Sequence, residues 1–243
     1  MNKIPFASLI LLLLPFSVRA DYAIGQEGIP EVTIQSDLAK FEVYAGHPRL
    51  FFRDTDLPAI RERIRGDFAP EWKAMTDFIE TQAFSAPPGE FAKGPYLKDW
   101  AIGRSVAFAA TVTGDERYVR WSKEWAAALA AAGPVGPDAE YRGRLQCLAI
   151  AYDWLYPALT AEERKTLAEA ILAHLDHAWH FAARANYIGN HSRWGNFTLA
   201  AGLLALVTEQ PELRDRLLQV RAHWLDGYFP AQGWIAQDGG YHM

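Results

Sequence analysis

The segment Asn186-Tyr187-Ile188-Gly189-Asn190-His191-Ser192-Arg193-Trp194-Gly195-Asn196-Phe197 carries the residue types best suited to chemistry. Amides, an imidazole, a hydroxyl, a guanidinium and an indole stand directly before an apolar run that ends at Val207. A helix starting here leaves backbone N–H groups without partners, and its dipole adds positive potential. Polar side chains at that position suit an anion. The same residues also read as plain structure, with Asn190 and Ser192 capping the helix and Trp194 packing.

Other candidates are more scattered. His174, His177 and His180 follow an i, i+3, i+6 spacing. The third lies well round the helix from the first, so they make a poor three-ligand set and the residues call for no metal and no other cofactor. Asp153, between Tyr152 and Trp154, reads as a buried, hydrogen-bonded structural acid. A glycoside hydrolase needs two carboxylates facing a cleft, and Asp153 with Asp238 is the one pair worth testing. Arg142, Arg144 and Gln146 open an apolar helix. They lie either on a solvated surface, the commoner fate of such side chains, or along a cleft where Arg144 and Gln146 would bind substrate. Cys147, the single cysteine, sits in an apolar run and reads as a small buried hydrophobe.

The elements that must hold these residues are helices. Asp54 or Thr55 caps a first helix that Gly66 ends, after a short strand-like run Arg49-Leu50-Phe51-Phe52. Helical spacing then predicts Pro70–Phe84, Leu97–Thr113, Glu116–Ala132, Tyr141–Tyr156, Ala161–Arg184, Trp194–Thr208 and Glu212–Tyr228. Gly114-Asp115, Gly133-Pro134 and Gln210-Pro211 punctuate them. Thr160 and Glu163 form a capping box for the longest helix, whose buried face is Leu167, Ala170, Ile171, His174, Leu175 and Ala178. The fold class is all-α, built of antiparallel hairpins. Such hairpins form a bundle, a solenoid or a closed toroid; with no fixed-period repeat, a regular solenoid fits least well.

Residues 1–20 read as a signal peptide: a basic start at Lys3, an apolar region too short to span a bilayer, and Val18-Arg19-Ala20 before the cleavage point. The expected location is periplasmic or secreted, with no membrane attachment after cleavage. Residues 21–46 show no helical period and read as an extended lead-in, and 47–243 as one domain. Cleavage removes Lys3 and Arg19 and no acid, leaving 22 basic against 29 acidic residues, a net charge of −7. That balance argues against nucleic acid as a partner. It also requires local cations wherever an acidic ligand binds. The aromatics, nine Trp, ten Tyr and thirteen Phe, are read as mostly core.

Three motifs, in order, carry a family resemblance. His47-Pro48-Arg49-Leu50-Phe51-Phe52 with Asp56-Leu57-Pro58-Ala59-Ile60 resembles the opening of heparinase II/III-like and alginate-lyase-type polysaccharide lyases. Ala151-Tyr152-Asp153-Trp154-Leu155-Tyr156 resembles a core helix of that superfamily, and Asn190-His191 with Gly195-Asn196 its active-site segment. The resemblance implies an incomplete (α/α) toroid over 47–243, without the family's C-terminal β-sandwich, acting on an acidic polysaccharide by β-elimination. It implies that Asn190 neutralises the substrate carboxylate and that His191 shares this role or acts as base. Arg193 and Trp194 would contact substrate. The family's catalytic Tyr follows an Asp-Gly segment; Asp238-Gly239-Gly240-Tyr241 matches that segment, which makes Tyr241 the candidate, unless the catalytic Tyr lies beyond Met243. The alternatives are an α/α-toroid glycoside hydrolase and a non-catalytic glycan-binding or scaffold protein.

Overall fold

A computed structural model describes residues 41–93, 97–134, 138–182 and 190–228; for 97–98, 138–141, 180–182, 190–193 and 226–228 only the backbone is described. Nine α-helices follow one another among the described residues, and no strand occurs among them. They are α1 (Leu57–Arg65), α2 (Ala69–Gln82), α3 (Glu90–Lys93), α4 (Leu97–Thr113), α5 (Glu116–Ala132), α6 (Asp138–Leu155), α7 (Ala161–Ala182), α8 (Asn190–Leu206) and α9 (Arg214–Ala222). A π-helical stretch, His223–Tyr228, extends α9. The all-α class and hairpin connectivity agree with the spacing in the sequence.

Local chemistry sets most boundaries. Gly114 and Gly133 both adopt positive φ, at 71° and 66°, and end α4 and α5 where a side chain would be strained. Asp115 caps α5 by accepting from the Arg117 N–H at 2.8 Å. The Thr160–Glu163 box is present in both directions, at 3.2 and 2.7 Å.

Three expectations change. The run Arg49–Phe52 is irregular, not a strand, and Phe51 has φ 71°. Neither Asp54 nor Thr55 caps α1: they belong to a 3-10 turn, Asp54–Asp56, where the Asp56 carboxylate accepts from the Arg53 N–H at 2.8 Å. Helix α8 begins at Asn190 and not at Trp194, so the polar residues Asn190 to Arg193 form its first turn. Helical dihedrals extend into polar sequence there, which hydrophobic spacing cannot register.

Helix α6 is the centre of the packing, with α4, α5, α7 and α8 all against it. Helices α4 and α6 run in the same sense. Trp100 near the start of α4 lies over Gly143 near the start of α6, and the Thr111 hydroxyl near the end of α4 reaches the Trp154 carbonyl at 3.1 Å. Helix α8 lies on the other side of α6, while α5 and α7 touch each other as a second layer. Small residues permit the close approaches: a Cβ on Gly143 would fall 2.1 Å from the Trp100 ring, and one on Gly103 2.2 Å from Trp125.

The core contains Leu145, Leu148, Ile171, Leu175, Leu203 and Trp125, all inaccessible. The predicted buried face of α7 is confirmed at Leu167, Ile171, His174, Leu175 and Ala178. Aromatic burial is less complete than composition suggests. Among the described aromatics only Phe91, Trp100, Tyr118, Trp121, Trp125 and Tyr152 are buried, and Phe51, Phe68, Phe78, Phe84 and Phe197 are exposed. Cys147 is buried and free, and burial pushes its thiol up to about 12, which suits a small hydrophobe and not a nucleophile.

Candidate functional site

Two polar clusters occupy opposite ends of the α4–α6–α8 layer. At the starting end, Arg142 is 1% exposed and Arg144 6%, so neither lies on a solvated surface. The Arg142 guanidinium lies 5.1 Å from the centroid of the Trp194 ring. A delocalised, weakly hydrated guanidinium tolerates burial against an indole face, where the ring quadrupole attracts it. This contact ties the first turns of α6 to the first turns of α8. Asn196 is also buried, and Gln146 is half-buried.

Arg144 points back toward the end of α5, where a guanidinium nitrogen lies 3.4 Å from the Gly133 carbonyl. His174 of α7 is inaccessible and bonds through Nδ1 to the Ala170 carbonyl at 2.8 Å. A carbonyl only accepts, so Nδ1 carries the proton. Burial, with the nearby Arg144 charge, holds the imidazole below its usual range, and it is neutral at pH 7. His177 is exposed where His174 is inaccessible, and the described residues contain no cluster of three or more metal-ligating side chains.

The opposite end is an anchor. Asp153, inaccessible near the end of α6, accepts from the backbone N–H of Arg49 at 3.0 and 2.9 Å and of Leu50 at 2.7 Å, and bonds His47 Nδ1 at 2.6 Å. Trp154 donates its indole N–H to the Leu50 carbonyl at 3.0 Å. His47, joined to Pro48 by a cis peptide bond, stacks on Tyr156 with centroids 3.8 Å apart. Arg49 pairs with Glu209 at 2.9 Å and bonds Thr208, just past α8. The opening motif and the core-helix motif, about a hundred residues apart, are therefore one hydrogen-bonded unit. It confirms Asp153 as a structural acid.

No protein-family model matches this chain, and no curated protein matches it significantly.

The anchor also bears on the carboxylate pair. Asp153 has its oxygens committed to His47 and to two backbone N–H groups, so it is not offered to a substrate. Asp238 and Tyr241 lie outside the described residues. Asn190, His191 and Arg193 are placed by backbone alone, in the first turn of α8 beside Trp194. The sequence did not mark His47 as a partner of Asp153, or Glu209 as a partner of His47 and Arg49. The available signal was an acid inside an apolar helix, which demands donors without saying which.

Proposed function

We propose that the protein is a polysaccharide lyase that cleaves a uronate-containing glycan by β-elimination, on an arc of helical hairpins belonging to an (α/α) toroid. The observation that carries this reading is the Arg142–Trp194 contact. It brings Arg142 of α6 against the start of α8 that holds Asn190 and His191. Cations and an aromatic ring beside an amide and an imidazole suit a sugar carboxylate. Two roughly parallel helix starts add to the positive potential at that end.

The chemistry assigns each group a task. Removing the proton from C5, next to the uronate carboxylate, leaves charge that spreads onto the carboxylate oxygens. The Asn190 amide and His191 stabilise that charge. A base, His191 or a Tyr such as Tyr241, takes the C5 proton. The electron pair forms the C4–C5 double bond, the C4–O bond breaks, and a Tyr hydroxyl protonates the departing oxygen. No water is consumed. The substrate is an acidic polysaccharide or oligosaccharide, and the site of action periplasmic or secreted.

The test is incubation of the full-length protein with alginate, heparan sulfate and hyaluronan, reading both ultraviolet absorbance of the unsaturated uronide and new reducing ends. Both signals rise together for a lyase. Reducing ends without the absorbance would identify a hydrolase, and neither signal, with binding retained, a glycan-binding protein.

A further inference from the structure

Phe51 is 64% exposed yet has φ 71°, a left-handed conformation that a bulky L-residue rarely adopts. The surroundings impose it. The preceding Leu50 is pinned on both sides, its N–H to Asp153 at 2.7 Å and its carbonyl to the Trp154 indole at 3.0 Å. The strained ring gains little burial in return. Instead it stands 6.2 Å from Phe197 of α8, itself 36% exposed, and 6.3 Å edge-on to Trp154. Phe52 and Phe108 continue the strip over Trp154 to α4, at 5.2 and 5.7 Å.

We propose that the rings of Phe51 and Phe197 are a sugar-binding platform that carries a pyranose unit next to the one held at Trp194. This rests on the glycan reading given above. Trp194 and Phe197 are three residues apart on α8, hence on one face and about 4.5 Å apart along its axis. Both are at least partly exposed. The two positions therefore serve neighbouring units of one chain. The C–H face of a pyranose is apolar and rests on aromatic rings, while its hydroxyls and carboxylate face water or cations.

The helices beneath the platform are poor in acids, which suits an acidic glycan, although the exposed Asp54 and Asp56 follow Phe51 on its segment. In a chain with 29 acids, α8 contains none, α4 none after Asp99, and α6 none after Glu140 except the buried Asp153. The same helices contribute Arg104, Arg142 and Arg144. A protein partner fits less well. Two phenyl rings offer at most roughly 300–500 Å², well under the ~1,200 Å² of a stable interface.

The experiment uses the full-length chain and four variants: Phe197→Ala, Phe51→Gly, their combination, and Phe68→Ala as an exposed aromatic away from the strip. Each is run through native gels containing alginate, heparan sulfate or hyaluronan, and melted thermally. Expected is retardation of the wild type by at least one polysaccharide. The double variant should lose tenfold or more in affinity, Phe68→Ala should lose none, and Phe51→Gly should melt no lower than wild type. Wild-type retardation of the double variant overturns the platform, as does a wild type that no polysaccharide retards. The outcomes separate from those of the lyase reading. Retardation lost in the double variant, with no unsaturated product from the wild type, upholds the platform and rejects elimination. Unsaturated product with undiminished binding by the double variant rejects the platform alone.

Discussion

Asn190 and His191 share the first turn of α8, and their alternatives differ in what they predict. As charge-stabilising or acid–base groups in the intact enzyme, His191→Ala and Asn190→Ala should each lower kcat by roughly two or more orders of magnitude, with little change in melting temperature. As helix-start polar residues only, Asn190→Ala should cost about 1 kcal/mol of stability and leave turnover near normal. Initial rates and thermal melts on the two purified variants decide between them. Residue type was legible in the sequence here, because amides and imidazoles before an apolar run are conspicuous. The partnership with Arg142 was not, since about fifty residues of intervening chain separate it from Trp194 and only helix packing closes the gap.

At the scale of elements, the opening segment is fastened to α6 and α8 by ionisable groups, so its strength depends on pH. Burial disfavours the charged His47 ring, but hydrogen bonds to Asp153 and Glu209 outweigh it, and His47 titrates above its usual 6.5. Arg49 beside the ring opposes this only partly. Burial alone would raise Glu209, yet bonds from His47, Arg49 and Thr208 bring it down to about 2. The His47 contribution is complete below the unfolded value near 6.5 and is lost as pH rises through the higher folded value. The Glu209 contribution is present above its unfolded value near 4.5 and is lost as pH falls through about 2. The fastening is therefore strongest between about pH 4.5 and 6.5. His174 and His223, both lowered by burial, act in the opposite sense and cost stability as the medium turns acid. Comparing wild type with His47→Gln cancels them. The stability difference from urea unfolding should be largest near pH 6 and shrink toward pH 9; a difference constant with pH would contradict it.

Helix contacts give a second prediction at this scale. Gly143→Ala gains up to about 1 kcal/mol of helix propensity. It also drives a methyl into the buried Trp100 ring, since the Cβ would sit 2.1 Å from it. Overpacking of that kind costs about 1–3 kcal/mol, so the net effect is destabilising, and chemical denaturation should show a lower midpoint. A raised midpoint would mean that α4 can move away from α6 without loss.

For the whole molecule, no described helix is long and apolar enough to cross a membrane. The proposal of export rests on the first twenty residues of the sequence. Protein recovered from the cell envelope should begin near Asp21 by N-terminal mass measurement, and an intact Met1 on that material would reject cleavage. The buried arginines also matter at this scale, because an overall acidic chain attracts an acidic glycan only where local cations outweigh the distant field.

The sequence by itself determined the helices. Their 3.6-residue spacing, the Thr160–Glu163 box and the glycines at 114 and 133 are local features, and local hydrogen bonding follows from them. It also determined that Asp153 needed partners, since an acid in an apolar helix cannot stay unbonded. Tertiary structure decided who the partners are: His47, Arg49 and Leu50, a hundred residues away. It decided that Arg142 and Arg144 are buried, which no helix start announces. It also turned Arg49–Phe52 from an expected strand into a strained anchor that leaves Phe51 exposed. The physical reason is common to all three. Backbone periodicity depends on neighbours in the chain, whereas burial and ion pairing depend on which helices meet, and many arrangements of the same helices satisfy the same spacing.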